Sequence, residues 1–159
     1  RVLAAASSGE KLQAAHEHGA DVLIDYSQQD LREAVKAATD GKGVDVVYDP
    51  VGGPLTEAAV RSLAWRGRLL VIGFAQGEIP QIPANLLLIK GTSAVGVFWG
   101  DFARREPKAN GAMLAELFGW LAEGRLRPHV SRTFALQEVP AALRSLLDRQ
   151  AVGKLVVVP

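Results

Sequence analysis

The chain has 159 residues, 48% hydrophobic and 22% charged, and its 18 Lys and Arg against 17 Asp and Glu give a formal charge of +1. Those figures exclude low-complexity disorder, a large multidomain assembly and the basic stripe of a dedicated nucleic-acid binder. The absence of cysteine removes disulfides, thiolate catalysis and cysteine-rich zinc sites, and no apolar run reaches the length of a membrane span.

The chain opens at Arg1 on an apolar run without a signal-peptide layout, and it reads as a piece of a longer, cytoplasmic protein. Val2–Ala6 reads as a strand ending in Ser7-Ser8-Gly9, and Glu10–Glu17 as a helix with Leu12 and Ala15 on one side. Val22–Asp25 is the next strand. Asp30–Thr39 is the next helix, facing inward with Leu31, Ala34, Val35 and Ala38 until Asp40-Gly41-Lys42-Gly43 breaks it. Val44–Asp49 is a third strand, stopped by Pro50-Val51-Gly52-Gly53-Pro54. A helix over Thr56–Ala64 and a strand over Arg68–Ile72 follow. Strands alternating with helices of this length predict right-handed crossovers and a parallel sheet, with Val44–Val47 and Leu69–Ile72 buried on both faces.

After Gly73 the rhythm loosens. Phe74–Pro83 reads as a long loop, Ala84–Lys90 as a short helix, Gly91–Phe98 as a strand, and Lys108–Glu123 as an amphipathic helix presenting Met113, Leu117, Trp120 and Leu121. The tail offers a strand over Val130–Leu136, a helix over Pro140–Asp148 with Pro140 in its first turn, and a strand over Lys154–Val158. The fold class is α/β, a doubly wound parallel sheet.

Ligands of open parallel sheets bind at the carboxyl ends of the strands. Here that edge carries Ser7-Ser8, Tyr26-Ser27, Val51-Gly52-Gly53, Gly73-Phe74-Ala75 and Gly96-Val97-Phe98. No acid stands after the first strand to take ribose hydroxyls. Ser7 and Ser8, with Lys11 one turn on, could seat a phosphate and so favour NADP over NAD. The same residues also fit a capping box in which Glu10 reaches back to the cap. Tyr26 could stack on an adenine or be a half-buried tyrosine at a strand end. Phe98 and Trp99 could wall a nicotinamide or serve packing, and Trp65 and Trp120 read as core or rim. His16, His18 and His129 have no metal-ligand spacing, and no nucleophile elbow is present.

Several segments, taken in order, resemble the medium-chain dehydrogenase/reductase superfamily in its zinc-independent quinone oxidoreductase branch. They are Ala5–Lys11, Gly19–Tyr26, Gly43–Gly53, Gly67–Ala75, Gly96–Gly100 and Gly153–Val157. The resemblance covers the whole chain. It implies NADPH-dependent hydride transfer to a quinone or a related activated carbonyl or enone acceptor. It implies that Ser7, Ser8, Lys11 and Tyr26 line the 2′-phosphate and adenosine pocket, with Arg149 reaching the same phosphate. Val51, Gly52, Gly73, Phe74, Ala75, Phe98 and Trp99 would then lie along the rest of the cofactor. It further implies a homodimer through the edge strand near Thr92–Phe98, a coenzyme-binding domain over 1–124, and a segment over 125–159 that returns to a catalytic domain.

The family's first strand and its Gly-x-Gly-x-x-Gly turn are not in the sequence. In the order 3-2-1-4-5-6 the missing strand is central, so Val2–Ala6 and Val44–Asp49 would flank a gap of about 9–10 Å. Three resolutions are open: more chain supplies the strand, the two neighbours close up, or a second copy fills the space. The piece alone is expected to be inactive. A non-catalytic nucleotide-binding or dimerisation module and a methyltransferase-like Rossmann domain are the competing readings.

Overall fold

A computed structural model describes residues 1–148 and 150–159 of the chain. The described residues form two compact units, Arg1–Trp99 and Gly100–Pro159.

The first unit alternates strand and helix: β1 (Leu3–Ala6), α1 (Gly9–Glu17), β2 (Val22–Asp25), α2 (Leu31–Ala38), β3 (Val44–Asp49), α3 (Leu55–Arg61), β4 (Leu63–Val71), α4 (Ala84–Lys90) and β5 (Ser93–Gly96). All its strand pairs are parallel. β1 and β2 form one ladder, and β3, β4 and β5 another with β4 central. The first two helices start at side-chain caps. Ser8 caps α1, and Asp30 caps α2 by accepting from the Glu33 amide at 2.9 Å. The core lies between the second ladder and its helices: Val60, Leu63 and Leu69 are buried, with Val44, Val47, Ile82 and Leu86 packed around them.

β1 and β3 do not pair. An open cleft of about 910 Å³ lies between them, lined by Leu3, Ala5 and Ile24 on one side and Val44, Val46 and Val47 on the other. Closure of the two neighbours onto each other is thereby set aside. The cleft also changes the expected burial of β3. Val46 and Tyr48 are 41% and 66% exposed, because the outer edge of the strand has no partner among the described residues. The two ladders are joined through their helices, since α2 packs on both β2 and α3, and α3 on β3 and β4.

Two boundaries move from expectation. The helix expected to reach Ala64 stops at Arg61, because Leu63 already pairs with Val44 at the start of β4. The register then slips before Val46 meets Arg68, and Arg66 takes a left-handed φ of 61° within the slip. The strand expected over Gly91–Phe98 is confined to Ser93–Gly96, and Trp99 begins a helix.

The second unit contains α5 (Trp99–Arg105, which starts at the unit boundary), α6 (Pro107–Ala122), β6 (Val130–Ala135), α7 (Val139–Leu147) and β7 (Lys154–Val158). β6 and β7 are a parallel pair connected through α7, which contacts both. Phe134 and Ala142 are its buried apolar residues, and the Arg132 guanidinium lies 4.5 Å from the centre of the Phe134 ring.

Candidate functional site at the carboxyl edge

The register of β1 on β2 sets Ala6 opposite Asp25, and the Tyr26 amide donates to the Ala6 carbonyl at 3.1 Å. Ser7 and Tyr26 therefore leave adjacent strand ends side by side. Asp25 turns the chain at once, its Oδ1 accepting from the Ser27 amide at 2.9 Å and the Ser27 hydroxyl at 2.6 Å. Tyr26 is left half-buried at that end.

Ser8 Oγ accepts from the Lys11 amide at 3.4 Å, so the capping role read from the sequence is realised. The full box is not: Lys11, not Glu10, occupies the third helical position from which a side chain reaches back. Capping uses the hydroxyl as an acceptor and leaves its own proton to donate. Ser7 is exposed, and Lys11, four residues on, is half-buried. The cap and the phosphate seat are therefore compatible.

A second group forms where β3 and β4 end. Asp49 Oδ1 accepts from the Val51 and Gly52 amides, both at 3.0 Å, and its Oδ2 accepts from the Thr56 hydroxyl at 2.7 Å. The turn is docked on the loop after β4: the Ala75 amide donates to the Pro50 carbonyl at 3.1 Å, the Gln76 amide to the Val51 carbonyl at 3.0 Å, and the Gly53 amide to the Glu78 carbonyl at 3.2 Å. Val51, Gly52, Gly73, Phe74 and Ala75 are thus brought into one assembly. Asp49, which the sequence suggested only as a strand-end acid in the methyltransferase-like reading, holds it together with Thr56, Gln76 and Glu78, which the sequence reading did not single out. The available signal was an Asp at the strand end three residues before a glycine pair, a common turn organiser.

The Val97 amide donates to the Val71 carbonyl at 2.9 Å, setting Phe98 near the end of β4. Phe98 is 78% exposed and Trp99 is the first residue of α5. Of the twelve candidates, Tyr26 and Val51 line the cleft, one from each side. Arg149 lies outside the described residues.

Among the described residues no three His, Cys, Asp or Glu side chains stand together as metal ligands. The clustered donors that a zinc site needs are therefore not supplied by the described residues. Asp101, in α5, has its carboxyl held below the ordinary value by Arg104 first and Arg105 second. Those ion pairs serve the helix itself. Among the described residues no helix is long and apolar enough to cross a membrane.

A family model described as zinc-binding dehydrogenase matches residues 18–157. The chain is 41% identical over 157 residues to quinone oxidoreductase-like protein 2 of Bos taurus, covering 99% of this chain and 45% of that protein. Among solved structures, quinone oxidoreductase of Pseudomonas syringae pv. Tomato DC3000 superimposes with a TM-score of 0.89 at 30% identity, over 100% of this chain and 49% of that one. A mycobacterial protein complexed with NADPH gives a TM-score of 0.89 at 30% identity, over 100% of this chain and 50% of that one. The chain thus spans about half the length of the proteins it matches.

Proposed function

Because the chain belongs to the zinc-binding dehydrogenase family, we propose that it is the coenzyme-binding part of an NADPH-dependent oxidoreductase acting on a quinone or another activated carbonyl or enone. The observation that carries this reading is its end-to-end likeness to a mycobacterial protein complexed with NADPH. The carboxyl edge fits such a cofactor. Ser7 is exposed, Ser8 keeps a proton to donate and Lys11 supplies an ammonium, which together suit a phosphate at the start of α1. Tyr26 offers its ring beside them. The family resemblance alone assigns Arg149 to the same phosphate.

When bound, the cofactor supplies the hydride. This chain's task is to hold it. Val51 and Gly52 give a close-packed turn along its length, and Gly73, Phe74 and Ala75, with Phe98 and Trp99, frame the nicotinamide end and keep water from it. The cleft between β1 and β3 receives a strand from polypeptide beyond these residues, which also brings the pyrophosphate turn. Residues 125–159 return to a catalytic domain in that longer protein, which works in the cytoplasm. The 159 residues alone therefore have little or no turnover. Two copies pair through β5, whose outer edge has no partner among the described residues and whose Val95 is exposed. A monomer in solution scattering at high concentration would remove that pairing.

The decisive experiment is a titration of the full polypeptide with NADPH and NADH. Lys11→Ala is expected to weaken NADPH binding by about tenfold or more, the loss of one charge-assisted contact, and to leave NADH unchanged. Equal loss for both nucleotides, or none for either, overturns the phosphate seat.

A further inference from the structure

Asp49 is the last residue of β3, and one carboxylate there satisfies three donors of the segment leading into α3: the Val51 amide, the Gly52 amide and the Thr56 hydroxyl. Thr56 is itself 1% exposed, so its hydroxyl is an anchor inside the unit. The turn so fixed then presents the Pro50 and Val51 carbonyls to the Ala75 and Gln76 amides of the next loop. Packing leaves this turn little freedom. A Cβ on Gly52 would lie 3.0 Å from Phe74 Cδ1, and one on Gly53 would lie 2.9 Å from Gln76 Cδ. The Asp49 carboxylate is therefore linked through two peptide units to the loop after β4, and the Asp49 carbonyl accepts from the Ile72 amide at its start at 2.9 Å.

We propose that Asp49 is a positioning residue for the coenzyme: by fixing the Val51–Gly53 turn it sets the Gly73–Gln76 loop at the nicotinamide end. The inference rests on the functional reading above and deepens it. The chemistry ranks the substitutions. Alanine removes all three acceptor contacts. Asparagine keeps an oxygen for the two amides and turns an NH₂ toward Thr56, whose hydroxyl can accept. Thr56→Val removes only the tie to α3.

The test uses the full polypeptide, with amide hydrogen exchange and steady-state kinetics on wild type, Asp49→Ala, Asp49→Asn and Thr56→Val. Asp49→Ala is expected to speed exchange at Ala75 and Gln76 by about tenfold, the equivalent of one hydrogen bond, while β1 and β2 amides keep wild-type rates. KM for NADPH rises by about the same factor, with a smaller change in kcat. Asp49→Asn recovers most of both effects, and Thr56→Val falls between. If the alanine variant does not fold, the asparagine and valine variants still give the ranking. Unchanged exchange at Ala75 and Gln76 overturns the proposal. So does faster exchange with a wild-type KM for NADPH, which would leave Asp49 a structural residue only. Wild-type protein that does not bind NADPH overturns the functional reading and this inference together. Normal wild-type binding with unmoved variants overturns this inference alone.

Discussion

Ser8 can be given two jobs, and a single substitution separates them. As the cap of α1 its oxygen accepts from the Lys11 amide, and Ser8→Ala should cost about 1 kcal/mol of stability in urea unfolding. Aspartate caps a helix as well as serine does, so Ser8→Asp should keep that stability. Its charge would, however, face the 2′-phosphate across the same hydroxyl position. The expected result is a near-normal unfolding midpoint, NADH binding close to wild type, and NADPH binding lowered by at least an order of magnitude. If Ser8→Asp bound both nucleotides equally well, the phosphate would have to sit elsewhere. Gly52 makes a different argument at the same scale. Its φ is 73°, and a Cβ there would meet the Glu78 carbonyl at 3.1 Å as well as the Phe74 ring. Gly52→Ala should therefore lose about 1–2 kcal/mol from the left-handed backbone alone and push the loop from the turn. Faster exchange at the Ala75 and Gln76 amides would register that separation.

Elements whose apolar pattern coincides with their pairing were readable from the residues. β2, β3 and β7 have the limits that the runs Val22–Asp25, Val44–Asp49 and Lys154–Val158 imply. α3 and β4 were harder, because Ser62-Leu63-Ala64 continues a helical pattern while long-range pairing with β3 draws it into a strand. Leu63 at the start of that strand and Leu69 near its end are fully buried, so Leu69→Ala should cost about 2–5 kcal/mol of stability. A urea midpoint within error of wild type would show that this core has been misplaced. α5 was missed since Trp99-Gly100 directly follows the run Gly91–Phe98, which reads as a strand, and Arg104-Arg105 read as a surface charge group. Its signal lay in Asp101 followed at the third and fourth positions by Arg104 and Arg105. At the site, the turns themselves were legible because parallel sheets put their ligand edge where strands stop. The hub at Asp49 was not, since spacing does not reveal which donors a carboxylate turns toward.

The unit Arg1–Trp99 has an open seam. β1 and β3 run parallel to their own neighbours, face a common cleft and share no ladder. Backbone groups and apolar side chains along such an edge gain by pairing with another strand. Val46 reports on whether that happens in the longer protein. It lines the cleft from β3 and is already 41% exposed in these 159 residues. Val46→Lys made in the 159-residue chain leaves the ammonium in water, and its effect should stay within about 0.5 kcal/mol. In the full polypeptide the same lysine would be covered by the incoming strand and stripped of water, and the cost should rise to about 2 kcal/mol or more. Paired urea titrations of the two polypeptides measure the difference directly. Equal shifts in both would mean that the cleft remains wet in the longer protein, and that its central strand does not come from outside this sequence.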